Sequence, residues 1–286
     1  MKRSYASLLL GCLPLLAVAC GSAPAPVAPA TSEAPSTTAE PPPPPAPEAE
    51  PEPPPPPPEW GYAGAEAPAK WATLSSEWAL CGSGKEQSPV DLPAKGDKPA
   101  KPDVLKTTYQ KVPLRLFNNG HTVEASGEGI GSLQVGDAKY SLVQLHLHAP
   151  SEHTVGGKPA AMELHLVHRS EDGKLAVVAI LLDKGKKNAA LDPIFAAAPK
   201  NKSEEPSPVP DASLDLSKLI PSKAAYYGYS GSLTTPPCTE GVSWMVLSKP
   251  LEVSAEQLTA FRAVMAGDNA RPVQPLNARK IYGVKP

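Results

Sequence analysis

Two short runs, Gln144-Leu145-His146-Leu147-His148 and Glu163-Leu164-His165-Leu166-Val167-His168, alternate polar and apolar residues with a period of two. Only an extended strand puts every second side chain on one face, so the alternation commits both runs to a β-sheet. It also sorts the histidines. Gln144, His146 and His148 share one face of the first run, and Glu163, His165 and Val167 share one face of the second. A neighbouring antiparallel strand can bring His165 opposite the first pair. Three imidazoles around a centre with one open position are the donor set of a catalytic zinc site. A ligating imidazole bonds an amide, carboxylate or carbonyl through its second ring nitrogen, a role that falls to Gln144 and Glu163. Spacing alone fits three histidines lining a half-polar sheet face equally well. His168 points the other way and reads as a buried, hydrogen-bonded core histidine.

Further strands are expected at Pro113 to Phe117, Tyr140 to His146 and Leu175 to Leu182. The first two alternate as half-buried strands do, as does the run Glu163 to His168. The last is apolar on both faces and belongs mid-sheet beside the histidine strands. Helices are few. One begins at Ser254, capped reciprocally with Gln257, turns Leu258, Phe261 and Met265 inward and stops at Gly267; a weaker one covers Asn188 to Ala198. The fold class that follows is mainly β, a large twisted, mostly antiparallel central sheet with short peripheral helices.

The N-terminal residues 1–20 carry Lys2 and Arg3, an apolar stretch too short to span a bilayer comfortably, and small residues before Cys20. This reads as an export signal whose end resembles a bacterial lipobox, with Cys20 as the lipidated residue. Leu9-Leu10-Gly11-Cys12 has the same form but would leave an apolar core of only a few residues. Residues 21–59 hold 17 of the 38 prolines. Such a tract cannot form a core and is expected to be an extended polyproline II spacer, reaching up to about 100 Å. Residues 60–286 suffice for one domain with a full core. The net charge of −2 supplies no excess to attract nucleic acid or an acidic membrane surface. Membrane association is expected only through the anchor. Cys81 and Cys238, the two cysteines outside the signal, suggest one disulfide in an exported domain.

Beyond the histidine runs, the chain carries Trp60-Gly61-Tyr62, Gln87-Ser88-Pro89-Val90-Asp91, Asn118-Asn119-Gly120-His121, Ser151-Glu152-His153-Thr154, Gly231-Ser232-Leu233-Thr234-Thr235-Pro236-Pro237-Cys238 and Arg271-Pro272-Val273-Gln274-Pro275. Together, and in this order, they resemble the α-class carbonic anhydrases from Trp60 to the C-terminus. The resemblance implies that His146, His148 and His165 hold Zn²⁺ and that zinc-bound hydroxide attacks CO₂ to give bicarbonate. It implies that Thr234 orients the hydroxide and passes a hydrogen bond to Glu152. Val167, Val177, Leu233 and Trp244 match the apolar pocket for CO₂, while the Thr234 N–H and the Thr235 hydroxyl match groups that hold bicarbonate.

His121 matches the family's proton shuttle. Tyr62 and Asn119 match residues that order the connecting waters, and Glu124 stands at a third such position, where asparagine is usual. Cys81 and Cys238 align with the disulfide of exported members, which braces the Thr234 loop. His153 is expected to pack structurally near Glu152. Two other readings stay open at this point: a non-catalytic surface binding module on the same fold, and a zinc hydrolase acting mainly on esters. The sequence leaves the oligomeric state undetermined.

Overall fold

The computed structural model describes residues 58–94, 104–221, 224–265 and 267–284. The expected signal, Cys20 and nearly all of the proline tract lie outside the described residues. The described chain belongs to one unit, Pro55–Pro286.

Its strands, in chain order, are β1 (Asp91–Leu92), β2 (Leu105–Thr107), β3 (Val112–Asn118), β4 (Val123–Ser126), β5 (Ser132–Val135), β6 (Ala138–His148), β7 (Thr154–Val155), β8 (Lys158–Pro159), β9 (Met162–Arg169), β10 (Leu175–Lys184), β11 (Ser207–Leu214), β12 (Tyr226–Ser232), β13 (Glu240–Leu247), β14 (Leu251–Val253) and β15 (Tyr282–Val284). Twelve of them form one sheet with the path β11-β3-β4-β6-β9-β10-β13-β12-β15, while β1, β7 and β8 form a small separate sheet. All pairings in the large sheet are antiparallel except those of β10 with β13 and β14. The expected mainly β architecture is what forms, and β10 lies mid-sheet beside β9.

Alternation divides the interior in two. Ala176, Val178, Ile180 and Leu182 of β10 join Leu145, Leu147, Leu164 and Leu166 in a large core on one face. Val177, Ala179 and Leu181 join Trp244, Val246 and Tyr229 in a smaller core on the other. This double burial explains why β10 is apolar throughout. The expectation of a half-buried strand fails for β9, which is buried from Met162 to Leu166 on both faces. The polar face of β9 is covered because the rings of His153 and Trp244 pack against His165.

The helices are α1 (Trp71–Leu74), α2 (Leu80–Ser83), α3 (Asp192–Ala197) and α4 (Ala255–Met265). At α4 the Gln257 N–H donates to Ser254 Oγ (3.2 Å) and the Ser254 N–H to Gln257 Oε1 (3.2 Å), the expected capping box. Leu258 and Phe261 are buried and Met265 is partly so. α3 is shorter than expected from Asn188 to Ala198. The Asn188 side chain accepts from the Ala190 and Leu191 N–H groups, closing a turn first, and Pro193 sits in the first helical turn.

His168 is fully buried on the large-core face, its Nε2 2.7 Å from the Tyr109 hydroxyl, while Nδ1 has no hydrogen-bond partner. Burial lowers its pKa from 6.5 to about 4. The unfolded chain therefore binds a proton that the fold refuses, so this stability is present above pH 6.5 and is lost as pH falls towards 4. The loss amounts to about 3 kcal/mol. Urea unfolding at pH 7, 5 and 4 is expected to show a shallower decline for His168→Gln than for the parent chain. Equal declines would assign the acid sensitivity to other groups.

Candidate active site

β6 and β9 pair so that His146 faces His165, His148 faces Glu163 and Gln144 faces Val167. The imidazoles of His146, His148 and His165 each offer one nitrogen, and these lie within 4.8 Å of one another. The opposite nitrogens are engaged. His146 Nδ1 is 2.7 Å from Gln144 Oε1, His148 Nδ1 is 2.6 Å from the Asn269 carbonyl, and His165 Nε2 is 2.9 Å from Glu163 Oε1. Those oxygens only accept, so each engaged nitrogen donates and carries the ring proton.

That leaves His146 Nε2, His148 Nε2 and His165 Nδ1 as bare lone pairs aimed at one point, the first and third 3.3 Å apart. Lone pairs gathered in a buried site repel unless a cation sits among them. His148 Nε2 and Glu152 Oε2 are buried with no hydrogen-bond partner. The donor set thus fits a metal ion, and three neutral imidazoles suit zinc with one position open. Burial first, and neighbouring imidazoles second, lower the pKa of His146; burial likewise lowers that of His148. Burial also opposes protonation of His165, but the Glu163 carboxylate outweighs it and raises that pKa.

Glu163 is the hub behind the histidines. Its Oε2 accepts the His153 backbone N–H (2.8 Å), and its Oε1 bonds His153 Nδ1 (2.6 Å) as well as His165. Burial raises its pKa, but the two imidazoles outweigh this and hold it well below the usual carboxylate range. His153 Nε2 is 2.6 Å from the Tyr229 hydroxyl, which donates to Ser88 Oγ at 2.9 Å. Ser88 and Ser232 exchange backbone-to-hydroxyl bonds, fixing the chain just before Thr234. His153, expected to pack structurally near Glu152, is fully buried and bonded to Glu163 and Tyr229.

Val167, Val177 and Trp244 lie in register on β9, β10 and β13, and Leu233 packs against the same cluster. The indole centroid of Trp244 is 5.0 Å from that of His165. The apolar wall therefore borders the His165 ring. Thr234 is buried, and the Thr235 carbonyl accepts the Cys238 N–H in the turn that follows. Cys238 is bonded to Cys81 across 157 residues. The tie lies over Trp71 and Trp78, with Trp60 and Tyr62 alongside.

The expected hydrogen bond from Thr234 to Glu152 is not made. Glu152 Oε1 accepts the Arg271 N–H at 2.9 Å, while Oε2 turns towards His148 Nε2 (3.6 Å) and His165 Nδ1 (3.9 Å). Burial, and then the Glu152 charge, raise the Tyr62 pKa, which places Tyr62 within the field of the same carboxylate.

His121 stacks on Trp60, with centroids 3.6 Å apart and planes 8° from parallel. Burial and then Lys202 lower its pKa. Asn119 was expected to order water. Its side-chain oxygen instead accepts the His121 and Thr122 N–H groups (2.9 and 2.8 Å), folding the loop and leaving only its amide nitrogen for solvent. Glu124 pairs in register with His146, and burial raises its pKa to about 7.

Asn269 is the residue that sequence reasoning missed. Its carbonyl fixes His148, its Oδ1 accepts the Ala149 N–H, and its Nδ2 donates to the His121 and Leu147 carbonyls. It lies outside any strand or helix, so no periodicity marks it.

A three-histidine cluster on the face of a large β-sheet, walled by valine and tryptophan, has the donor set of a metal-dependent enzyme. The family model for eukaryotic-type carbonic anhydrases matches residues 66–285. A carbonic anhydrase of Nostoc sp. is 43% identical over 225 residues, spanning 78% of this chain and 84% of the relative. One from Klebsiella pneumoniae is 41% identical over 224 residues, with 78% and 89% covered. The solved alpha-carbonic anhydrase of Thermovibrio ammonificans, in complex with the inhibitor sulfanilamide, superposes with a TM-score of 0.74 at 42% identity, covering 78% of this chain and 98% of that one. The chain belongs to the alpha (eukaryotic-type) carbonic anhydrase family.

Proposed function

We propose that His146, His148 and His165 hold zinc for the reversible hydration of carbon dioxide to bicarbonate and a proton. The observation that carries this reading is the three bare imidazole nitrogens converging in a buried site. Zinc, when bound, supplies the Lewis acidity that makes water a nucleophile near neutral pH. Val167, Val177, Leu233 and Trp244 offer CO₂, which has no net dipole, an apolar surface beside the nitrogens. An apolar wall beside the site favours CO₂ over esters. Thr234 and Glu152 orient the nucleophile, Glu152 being held by the Arg271 N–H. The Thr234 N–H and the Thr235 hydroxyl hold bicarbonate.

His121 then carries the proton out, helped by Tyr62, the Asn119 amide and Glu124. Burial, and then Lys202, lower the pKa of this half-buried imidazole, which favours the neutral ring that can accept a proton. Stopped-flow CO₂ hydration is expected to be fast, to vanish with a zinc chelator and to return with added zinc. Hydration insensitive to chelation would overturn the reading. Sulfanilamide, the inhibitor bound in the Thermovibrio structure, is expected to block it.

Export also belongs to this reading. The Cys81–Cys238 bond supports an oxidising compartment, where such bonds persist. Among the described residues no helix is long and apolar enough to cross a membrane. We place a lipid on Cys20, with residues 21–59 as the spacer. Expression with radiolabelled palmitate is expected to label the chain, and Cys20→Ala to abolish the label; label retained in that variant would contradict the anchor.

A further inference from the structure

Proton transfer to His121 does not finish the cycle, because the imidazolium must pass its proton to a base in solution before it can act again. The surroundings of His121 bear on which base that is. Trp60 covers one face of the ring, and Asn119 and Asn269 bond only its backbone. The charged group acting on it is Lys202, from the loop that follows α3. That loop is tied to the His121 loop by the Ser203 N–H to the Asn118 carbonyl (2.8 Å) and by Asn118 Nδ2 to the Pro199 carbonyl (3.1 Å).

The Lys202 arm lies across Gly120. A β-carbon built there would stand 3.2 Å from Lys202 Cδ and 3.7 Å from Nζ, and Gly120 has φ +89°, a region that favours glycine. The bare backbone at position 120 thus lets an ammonium group sit over the residue that precedes His121. Lys202 is exposed and forms no ion pair among the described residues. Glu204 and Glu205 further along the loop are also exposed and are not among the charges that shift His121.

We propose that Lys202 and His121 form a docking site for an anionic base, which takes the proton from the shuttle. With hydrogen phosphate as that base, imidazolium and HPO₄²⁻ give neutral imidazole and H₂PO₄⁻; one N–H bond breaks, one O–H bond forms, and the ammonium holds the anion in place. A neighbouring cation concentrates a dianion about 3- to 10-fold at moderate ionic strength, and leaves an uncharged base unaffected.

The inference rests on the shuttle role proposed for His121. Its test uses the zinc-loaded full chain and measures CO₂ hydration turnover against the concentration of two buffers that titrate near neutrality. Inorganic phosphate has a dianionic base and imidazole an uncharged one. Lys202→Gln is expected to lower the phosphate dependence about 3- to 10-fold relative to the imidazole dependence, and Lys202→Arg to retain it. Taking the ratio of the two buffers removes any change in His121 itself or in folding. An unchanged ratio in Lys202→Gln, with turnover still sensitive to His121→Ala, would overturn the docking site alone. Turnover in both buffers indifferent to His121→Ala would overturn the shuttle reading and the docking site with it.

Discussion

His146→Ala is expected to leave the fold intact and to empty the metal site. His146 stands on β6 opposite His165, and its Nε2 is one of the three bare nitrogens. Removing it leaves two imidazoles, too few to hold zinc against water. Loss of an outer partner of a ligand typically costs 10- to 100-fold in affinity or activity, so loss of a ligand is expected to exceed about 100-fold in both. Metal content after dialysis and stopped-flow CO₂ hydration check this. The Leu145 and Leu147 side chains remain in the large core, so thermal unfolding without metal is expected to change little. Zinc bound at one equivalent with full turnover would show that His146 is not a ligand.

Glu163→Ala is expected to have the second largest effect, for a different reason. Glu163 is fully buried and accepts three bonds, from the His153 N–H, His153 Nδ1 and His165 Nε2. Removing it strands two imidazoles in the interior and frees the His165 ring to rotate or change tautomer. Leaving a buried donor unsatisfied costs about 1 to 3 kcal/mol, and the lost support of a ligand about 10- to 100-fold in zinc affinity. Chelator competition gives the second figure and urea unfolding of the metal-free chain the first. Glu163→Gln keeps one accepting oxygen and is expected to fall between. A Glu163→Ala chain as stable as its parent would mean that His153 and Tyr229 hold the site without it.

The parts of the site that were legible in the sequence are those governed by a period of two. Alternation grouped Gln144, His146 and His148, and separately Glu163, His165 and Val167, and both outer partners bond the expected rings. It also sent His168 to the opposite core. The central strands and α4 were legible for similar reasons, since burial on one or both faces and a capping box leave local marks. What escaped comes from loops and from distant covering. Asn269 fixes His148 from an irregular segment, and Arg271 holds Glu152 through a backbone N–H that no side chain advertises. His153 pairs with Glu163 ten residues away because a turn folds back. The double burial of β9 depends on Trp244 and His153, which approach from other parts of the chain. The Thr234–Glu152 bond is absent although both residues are buried: Glu152 Oε1 accepts the Arg271 N–H and Oε2 has no hydrogen-bond partner.

The central claim is that three neutral imidazoles, two from β6 and one from β9, hold a single zinc with one position open. X-ray absorption at the zinc edge, on chain loaded with one equivalent of zinc, tests it most directly. The account predicts three imidazole nitrogens and one further light atom, with no sulfur. A spectrum with fewer than three imidazoles, or with a sulfur neighbour, would contradict it.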